Sequence, residues 1–413
     1  MPQIKTFDGY LVRPDRATQV VSPAYDSVSP EQRREFSVAN PQNFINTMRL
    51  QEDYPEDQTP SQDQLLGDNK KCLDHLIASD CFEPFSQPSL FVYQLGSESH
   101  LQTGVVCEVA VQEYESGLLK KHENTRSDKE DLLAKYQRVV GVTSSPICLT
   151  YTQNNSIDSV IDGLIQRPPD LDFLTEDGEV QKIWRISDSE SQQQLQSLFA
   201  QVQTTYLTDG HHRAASGLRY AERMRKKNGS MNDDEPYNRL LIALFPDNQL
   251  NLLPFHRCVK DLNNLSVEQL IAALQPGFKV EKLEGQEQFE STRHGEFGMY
   301  VSDCWYRLQV KEHLVDHADP VNSLDVSILQ EHILDPVLGI KDMRDDPRLG
   351  YIAGISGDEG IKQTYSEGWQ VIFACYATSI KQLMDVADAN GLMPPKSTYF
   401  DPKPRSGIFV RMK

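Results

Sequence analysis

The chain has 413 residues, 38% of them apolar, with a formal net charge of -19 and a mean hydropathy of -0.51. That length allows two or three domains and a sizeable core, and the acidic balance argues against general binding to nucleic-acid backbones, which needs a basic face. The opening MPQIKTFDGYLVRPDR lacks the apolar core of a signal peptide and the run VIFACYA is far too short to span a bilayer, so the expected location is cytoplasmic, with no membrane partner. Seven cysteines between Cys72 and Cys375, with no C-x-x-C pair, read as reduced and mostly buried thiols.

In chain order, Ser29-Pro30 with Gln32 three residues after the serine predicts a capped helix that ends at Asn40-Pro41. Leu65, Leu66, Cys72, Leu73 and Leu76 share one face of a second helix, so residues 1–90 read as a helical N-terminal lobe. From SLFVYQL and the alternating GVVCEVAVQEY onward a mixed α/β unit is expected over 91–260. It continues through a helix at DKEDLLAKYQRVV, a strand at PICLTY, a helix at SESQQQLQSLFAQV, a strand at TTYL and a long helix after Gly210. RLLIALF and LNLLPFHRCV, joined across PDNQ, read as a hairpin closing it. Residues 261–413 read as a smaller α+β domain whose last helix, KQLMDVADAN, stops with Gly391 in the C′ position. Residues 391–413 hold five Lys/Arg against one Asp, a local +4 on a chain whose remainder carries -23.

The stretch TTYLTDGHHRAASGLRY turns from strand to helix at Asp209-Gly210. The first N–H groups of a helix point together into one small volume and attract anions. Asp209 is expected to cap the helix, Gly210 to let a ligand approach the backbone, and Arg213 to offer a fork for phosphate oxygens. His211 and His212 would add donors whose charge changes near neutral pH. An ordinary Asp-Gly turn is the plain alternative. A metal site ranks lower, because adjacent histidines point about 100° apart on a helix. No P-loop motif is present.

A second polar loop, KHENTR, holds Lys121, His122, Glu123 and Thr125 before an acidic helix start. Glu123 reads as a general base toward a hydroxyl, as a carboxylate holding Mg2+, or as one member of a solvated charge cluster. Near the start, SPAYD offers Tyr25 and Asp26 either to a metal or amino group or as a helix-entry turn. The ending MPPKSTYFDPKPRSG presents Lys396, Ser397, Thr398, Lys403 and Arg405 either to an anionic ligand or as a basic tail. His256 and Arg257 follow a strand and are placed along the same cleft, with Phe255 in a packing role.

The KHENT and DGHHR loops, with the elements between them, resemble the ParB/sulfiredoxin-like fold, and among its members the free serine kinases. SPAYDSVS, KHENT, DGHHRAA, LLPFHR, SLDVSILQEHIL and MPPKSTYFDPKPRSG, in this order, resemble the landmarks of domain-of-unknown-function family 1015 across nearly the whole chain. Ser27 after Asp26 and Phe255 before the His-Arg pair depart from the commoner pattern. The resemblance implies a serine kinase-like phosphotransferase acting on L-serine, O-phosphoserine or a similar hydroxy-amino acid, with ATP or ADP and with Mg2+ held by Glu123 or Asp209. His122 and Glu123 would be catalytic, with Asp209, His211, His212 and Arg213 around phosphate and amino acid. Hydrolysis of a phosphomonoester is the alternative reaction. A nucleotide-sensing or partner-binding module without turnover is the alternative of another class.

Overall fold

The computed structural model describes residues 2–25, 28–97, 99–285 and 288–413. The chain divides into two compact units, one running to Leu250 and regaining Pro402–Lys413, the other Asn251–Asp401. The three segments expected from sequence are thus two units. The expected boundary near 260 falls at 250, and the last twelve residues return to the first unit.

The first unit begins with β1 (Tyr10–Val12), α1 (Ala17–Val20), α2 (Pro30–Ala39) and α3 (Gln62–Ala78). Ser29 and Gln32 form the predicted capping box, and Leu65, Leu66, Leu73 and Leu76 are buried. There follow β2 (Phe82–Pro84), β3 (Leu90–Ser97), β4 (His100–Ala110), α4 (Val111–Glu115), β5 (Leu119–Lys120), α5 (Ser127–Val139), β6 (Val142–Thr143), β7 (Ile147–Tyr151) and α6 (Asn155–Leu164). Then come β8 (Leu171–Leu174), β9 (Val180–Ile186), α7 (Ser189–Phe199), β10 (Thr205–Asp209), α8 (His211–Asn228) and β11 (Arg239–Pro246).

Eight strands form one mixed sheet in the order β5-β10-β7-β11-β4-β3-β9-β8. Its faces alternate with the period of two that a strand imposes. Phe91, Tyr93, Leu241, Ala243 and Phe245 enter one core, while Leu90, Val92, Leu240, Ile242 and Leu244 enter the other with α6, α7 and α8 residues such as Ile157, Phe199 and Ala214. The sheet is therefore covered on both sides, which explains why β11 is buried along its whole length.

The first lobe is not purely helical. The C-terminal strand β20 (Phe409–Met412) lies between β1 and β6, with β2 on the far side of β1, and this small sheet closes over the first core. The expected RLLIALF–LNLLPFHRCV hairpin is also absent. β11 already has β4 and β7 as neighbours, so neither edge is open, and the following segment belongs to the second unit.

That second unit contains β12 (Leu252–Leu253), β13 (Phe255–Val259), α9 (Val267–Leu274), β14 (Phe278–Leu283), β15 (Glu296–Val301) and β16 (Cys304–Val310). It continues with α10 (Asp325–Leu329), which runs into a π turn, β17 (Leu349–Ala353), α11 (Gly357–Ser366), β18 (Val371–Ala374), α12 (Ile380–Asp388) and β19 (Tyr399–Phe400). Its antiparallel sheet has the order β14-β16-β15-β18-β13-β17. Helix α12 ends one residue differently from expectation. Asn390 takes the left-handed position with φ 54°, and the Gly391 N–H closes onto Val386 O at 2.8 Å, as in a Schellman motif with Asn at C′ and Gly at C″.

All seven cysteines are thiols rather than halves of disulfides, and five are buried. Among the described residues no helix is long and apolar enough to cross a membrane.

Candidate functional site

The two polar loops meet because β5 and β10 are parallel neighbours, with Leu119 opposite Thr205 and Lys120 opposite Tyr206. Parallel strands deliver their C-terminal ends to the same side, so residues 121–126 and the turn at Gly210 emerge together. A register shift in β10 between Leu207 and Asp209 re-aims the end of the strand, and the Thr208 hydroxyl donates to Cys148 O at 3.0 Å.

Gly210 itself occupies the N-cap position of α8, with φ 97°. This corrects the expectation that Asp209 caps the helix. The Asp209 carboxylate instead holds two cations: one oxygen accepts from Arg213, four residues on, and the other lies 3.2 Å from Lys403 Nζ. Arg213 also donates to Pro146 O at 2.8 Å, in the loop before β7. Arg213 and Lys403 are thus both held by Asp209 beside the first N–H groups of α8.

A Cβ on Gly210 would lie 2.8 Å from Arg213 Nε, whereas one on Gly117, also left-handed at φ 76°, would meet nothing within 4 Å. Gly210→Ala should therefore cost more than the roughly 1–2 kcal/mol of a left-handed alanine, and Gly117→Ala about that alone. Urea unfolding of both variants checks this; equal losses would mean that Arg213 yields freely.

His211 is 6% exposed and packs edge-on against His122, which is 1% exposed, with ring centroids 4.5 Å apart. Glu123 is half-buried, and its Oε2 lies 3.8 Å from His211 Nδ1. The potential ligand atoms of His122, Glu123 and His211 all lie within 4.8 Å of one another. Burial lowers the His122 pKa to about 4, opposed weakly by the Leu207 backbone. Burial, then the neighbouring His122, His212, Lys121 and Arg213, holds His211 well below the usual imidazole range. Burial lowers His212 as well. These histidines are accordingly neutral at pH 7, not the switchable cations expected from sequence, and the positive charge belongs to Arg213 and Lys403.

The remaining loop residues mainly position. Arg126 N–H donates to His212 Nε2 at 3.2 Å, tying the first loop to the start of α8. The Thr125 hydroxyl donates to Glu130, which also pairs with Arg219 of α8, while the Lys121 ammonium lies 5.8 Å from the centre of the Tyr114 ring.

Other candidates are engaged elsewhere. Tyr25 donates its hydroxyl to Asp53 beneath the Arg33 guanidinium, which itself donates to Asp53 at 2.8 Å. Burial pushes the Tyr25 pKa up, so this group supports the α2 entry; Asp26 lies outside the described residues. Arg405 pairs with Asp177 and with Glu179, 2.6 and 2.7 Å away. Arg411 pairs with Glu108, and Lys413 donates to Arg239 O at 2.9 Å. Much of the tail's positive charge is thus matched within the protein.

His256, Arg257, Lys396, Ser397 and Thr398 belong to the second unit. His256 Nδ1 accepts from Cys375 N–H at 3.1 Å, and burial, reinforced by Arg257, lowers its pKa to about 4. Arg257 is fully buried and donates to Phe255 O at 2.6 Å and Pro395 O at 3.2 Å, bracing the chain before Lys396. Lys396 adopts φ 56° with its ammonium 5.3 Å from the Phe255 ring centre. Ser397 donates to Pro394 O at 2.7 Å, and Thr398 is half-buried.

Residues 4–327 match the family described as protein of unknown function (DUF1015). The chain belongs to this family. A search of curated protein sequences finds no significant match. Among solved structures, a free serine kinase in complex with AMP is 11% identical, with TM-score 0.38 and coverage of 74% of this chain and 91% of the kinase. A conserved hypothetical protein from Pyrococcus furiosus is 12% identical, with TM-score 0.36 and coverage of 74% and 95%. SbnI with a C-terminal truncation from Staphylococcus aureus is 11% identical, with TM-score 0.35 and coverage of 72% and 84%. Likenesses with TM-scores below 0.5 are too weak to transfer a ligand or an activity.

Sequence reasoning missed one element of the site in this DUF1015 chain, the loop Ser144–Pro146. Ser144 Oγ accepts from Gly407 N–H at 2.7 Å, Ser145 bonds Ser406, and Pro146 O holds Arg213. These contacts fasten the returning tail near the helix start. The available signal was the tail's Gly407, at φ 88°, where a Cβ would come within 2.7 Å of Phe44 Cβ.

Proposed function

We propose that this DUF1015 protein is a phosphotransferase that phosphorylates the hydroxyl of L-serine or a similar small hydroxy-amino acid, using ATP or ADP. The observation that carries this reading is the meeting of a half-buried carboxylate, Glu123, with a helix start flanked by Arg213 and Lys403. Phosphoryl transfer needs a proton acceptor for the attacking hydroxyl and fixed positive charge around the transferring group. Glu123 takes the hydroxyl proton as that oxygen bonds to phosphorus. The bond from phosphorus to the nucleotide's bridging oxygen breaks, and the nucleotide leaves one phosphate shorter. The first N–H groups of α8, with Arg213 and Lys403, stabilise the charge on the phosphoryl oxygens. His122 and His211, neutral and buried, pack beside Glu123.

Of the two carboxylates considered for Mg2+, Asp209 has both oxygens turned to cations and fits poorly. Glu123, being half-buried beside the cradle, fits better, with phosphate oxygens and water completing the shell that Mg2+ prefers. Mg2+ would supply charge neutralisation on the nucleotide phosphates.

Incubation with serine, phosphoserine, ATP, ADP and Mg2+, followed by phosphorus NMR, tests the reading. A phosphoserine signal growing with nucleotide loss is the expected result. Release of inorganic phosphate from phosphoserine would identify the hydrolase instead, and nucleotide binding without turnover would overturn both.

Lys403→Ala should raise the dissociation constant of phosphorylated ligands about tenfold, near the lower end for a hydrogen bond to a charged group. The effect should shrink at high salt, and serine itself should be little affected. Titration calorimetry at two salt concentrations measures it. Equal loss for serine and phosphoserine would move Lys403 out of phosphate recognition.

A further inference from the structure

The three side chains where the loops meet form an arrangement that phosphate binding does not explain. We propose that His122, Glu123 and His211 form a site for one divalent transition-metal ion of the zinc or cobalt type, with an open coordination position.

The first observation is geometric. Two nitrogen-bearing rings and a carboxylate converge from the ends of β5 and β10, with potential ligand atoms all within 4.8 Å of one another. Two ligands at about 2.0–2.2 Å from one ion stand at most about 4.3 Å apart, and about 3.4 Å in a tetrahedron. The 3.8 Å between Glu123 Oε2 and His211 Nδ1 lies inside that range and is too long for a hydrogen bond. The remaining separations, at most 4.8 Å, exceed the widest ligand separation by no more than about half an ångström.

The second observation is independent of these distances. Nε2 of His211 is buried and has no hydrogen-bond partner among the described residues, and of the two buried nitrogens of His122 only one can turn to the Leu207 backbone, which leaves the other without a partner. Each buried polar atom left without a partner costs about 1–3 kcal/mol, and each ring can turn one nitrogen to the shared point, so an unpartnered nitrogen on both rings indicates something that binds there. Two imidazoles and one carboxylate suit zinc, cobalt or a similar ion, whereas Mg2+ favours an all-oxygen shell. Three protein ligands also leave room for water or a substrate oxygen, as in reactive rather than structural zinc sites. The histidine pair comes one from each loop, which removes the geometric objection to adjacent His211 and His212. The proposal goes beyond the phosphotransferase reading and does not require it.

Full-length protein freed of metal with a chelator is titrated with Co2+ in the absence of nucleotide and serine, and bound Co2+ is then displaced with Zn2+ or Mg2+. The expected result is one equivalent of Co2+ with visible ligand-field absorption, displaced by one equivalent of Zn2+ but not by a hundredfold excess of Mg2+. Glu123→Gln and His211→Asn should each weaken Co2+ binding by about tenfold or more. Far-UV circular dichroism identifies a variant that fails to fold; Glu123→Gln, at a half-exposed position, keeps the test valid if the buried His211→Asn does not. Absence of stoichiometric binding, ready displacement by Mg2+, or unchanged Co2+ affinity in folded Glu123→Gln would each overturn the proposal. The readout involves no turnover, so it can fail while phosphoryl transfer stands, or hold where no transfer is found.

Discussion

Glu123→Gln is expected to lower turnover by about 10²–10⁴-fold while leaving nucleotide affinity within a few-fold. The amide keeps the size and planarity of the carboxylate but cannot take a proton, so on the proposed mechanism binding and chemistry separate. The half-buried position makes the change easy on the fold, since no core packing is removed. A base contributes only in the transition state, so kcat should fall while the ligand dissociation constant barely moves. Single-turnover kinetics with the substrate identified by phosphorus NMR, paired with calorimetry, measure both. Near-normal turnover would end the general-base assignment and leave the KHENT loop a structural role. Metal affinity, measured separately, distinguishes loss of a base from loss of a ligand.

What was legible in the sequence was local chemistry. The capping box at Ser29 and the strand-turn-helix at Gly210 are written in adjacent residues, and they appear where expected. The chemistry of Glu123 and the DGHHR turn is also readable from their side chains, and the structure brings the two loops together. Partnership between distant segments was not legible. Three-residue β1 and four-residue β20 pair Tyr10 with Val410, and nothing in either segment names the other. The all-apolar β11 reads equally as one arm of a hairpin or as a central strand, and only the closed neighbours on both sides decide.

The same limit explains the histidines. DGHHR draws attention to His211 and His212 as a pair, yet the parallel pairing of β5 with β10 gives His211 to His122 and leaves His212 to fasten Arg126. Burial then removes the charge that an exposed imidazole would carry near neutrality, and burial is not visible in a five-residue motif. The basic tail is a further case. Its excess charge suggested a ligand, but Arg405 and Arg411 meet Asp177, Glu179 and Glu108 across the fold, and Lys403 reaches the cradle through Asp209.

Acid should weaken the second unit through His256, and the sign follows from its environment. The folded ring titrates at about 4 because burial, then Arg257, disfavours its charged form, while an unfolded histidine titrates near 6.5. Between those pH values the unfolded chain holds a proton that the folded chain does not, so stability that is complete above pH 6.5 is lost as the pH falls toward 4. Two and a half pH units correspond to about 3 kcal/mol for this one ring. Other buried groups also titrate, so the comparison is with His256→Asn, whose carbonyl keeps an acceptor for Cys375 N–H and never gains a proton. The variant should be the less stable protein at pH 7.5, and the difference should shrink by about 2–3 kcal/mol at pH 4.5. Trp305 and Trp369 belong to the second unit and Trp184 to the first, so urea unfolding followed by fluorescence in a Trp184→Phe background reports on the unit that contains His256. A difference independent of pH would mean that the folded ring accepts a proton as readily as the unfolded one. In that case Nδ1 would not be committed to Cys375, and the ring would not be held with its proton on Nε2 as a neutral donor at physiological pH.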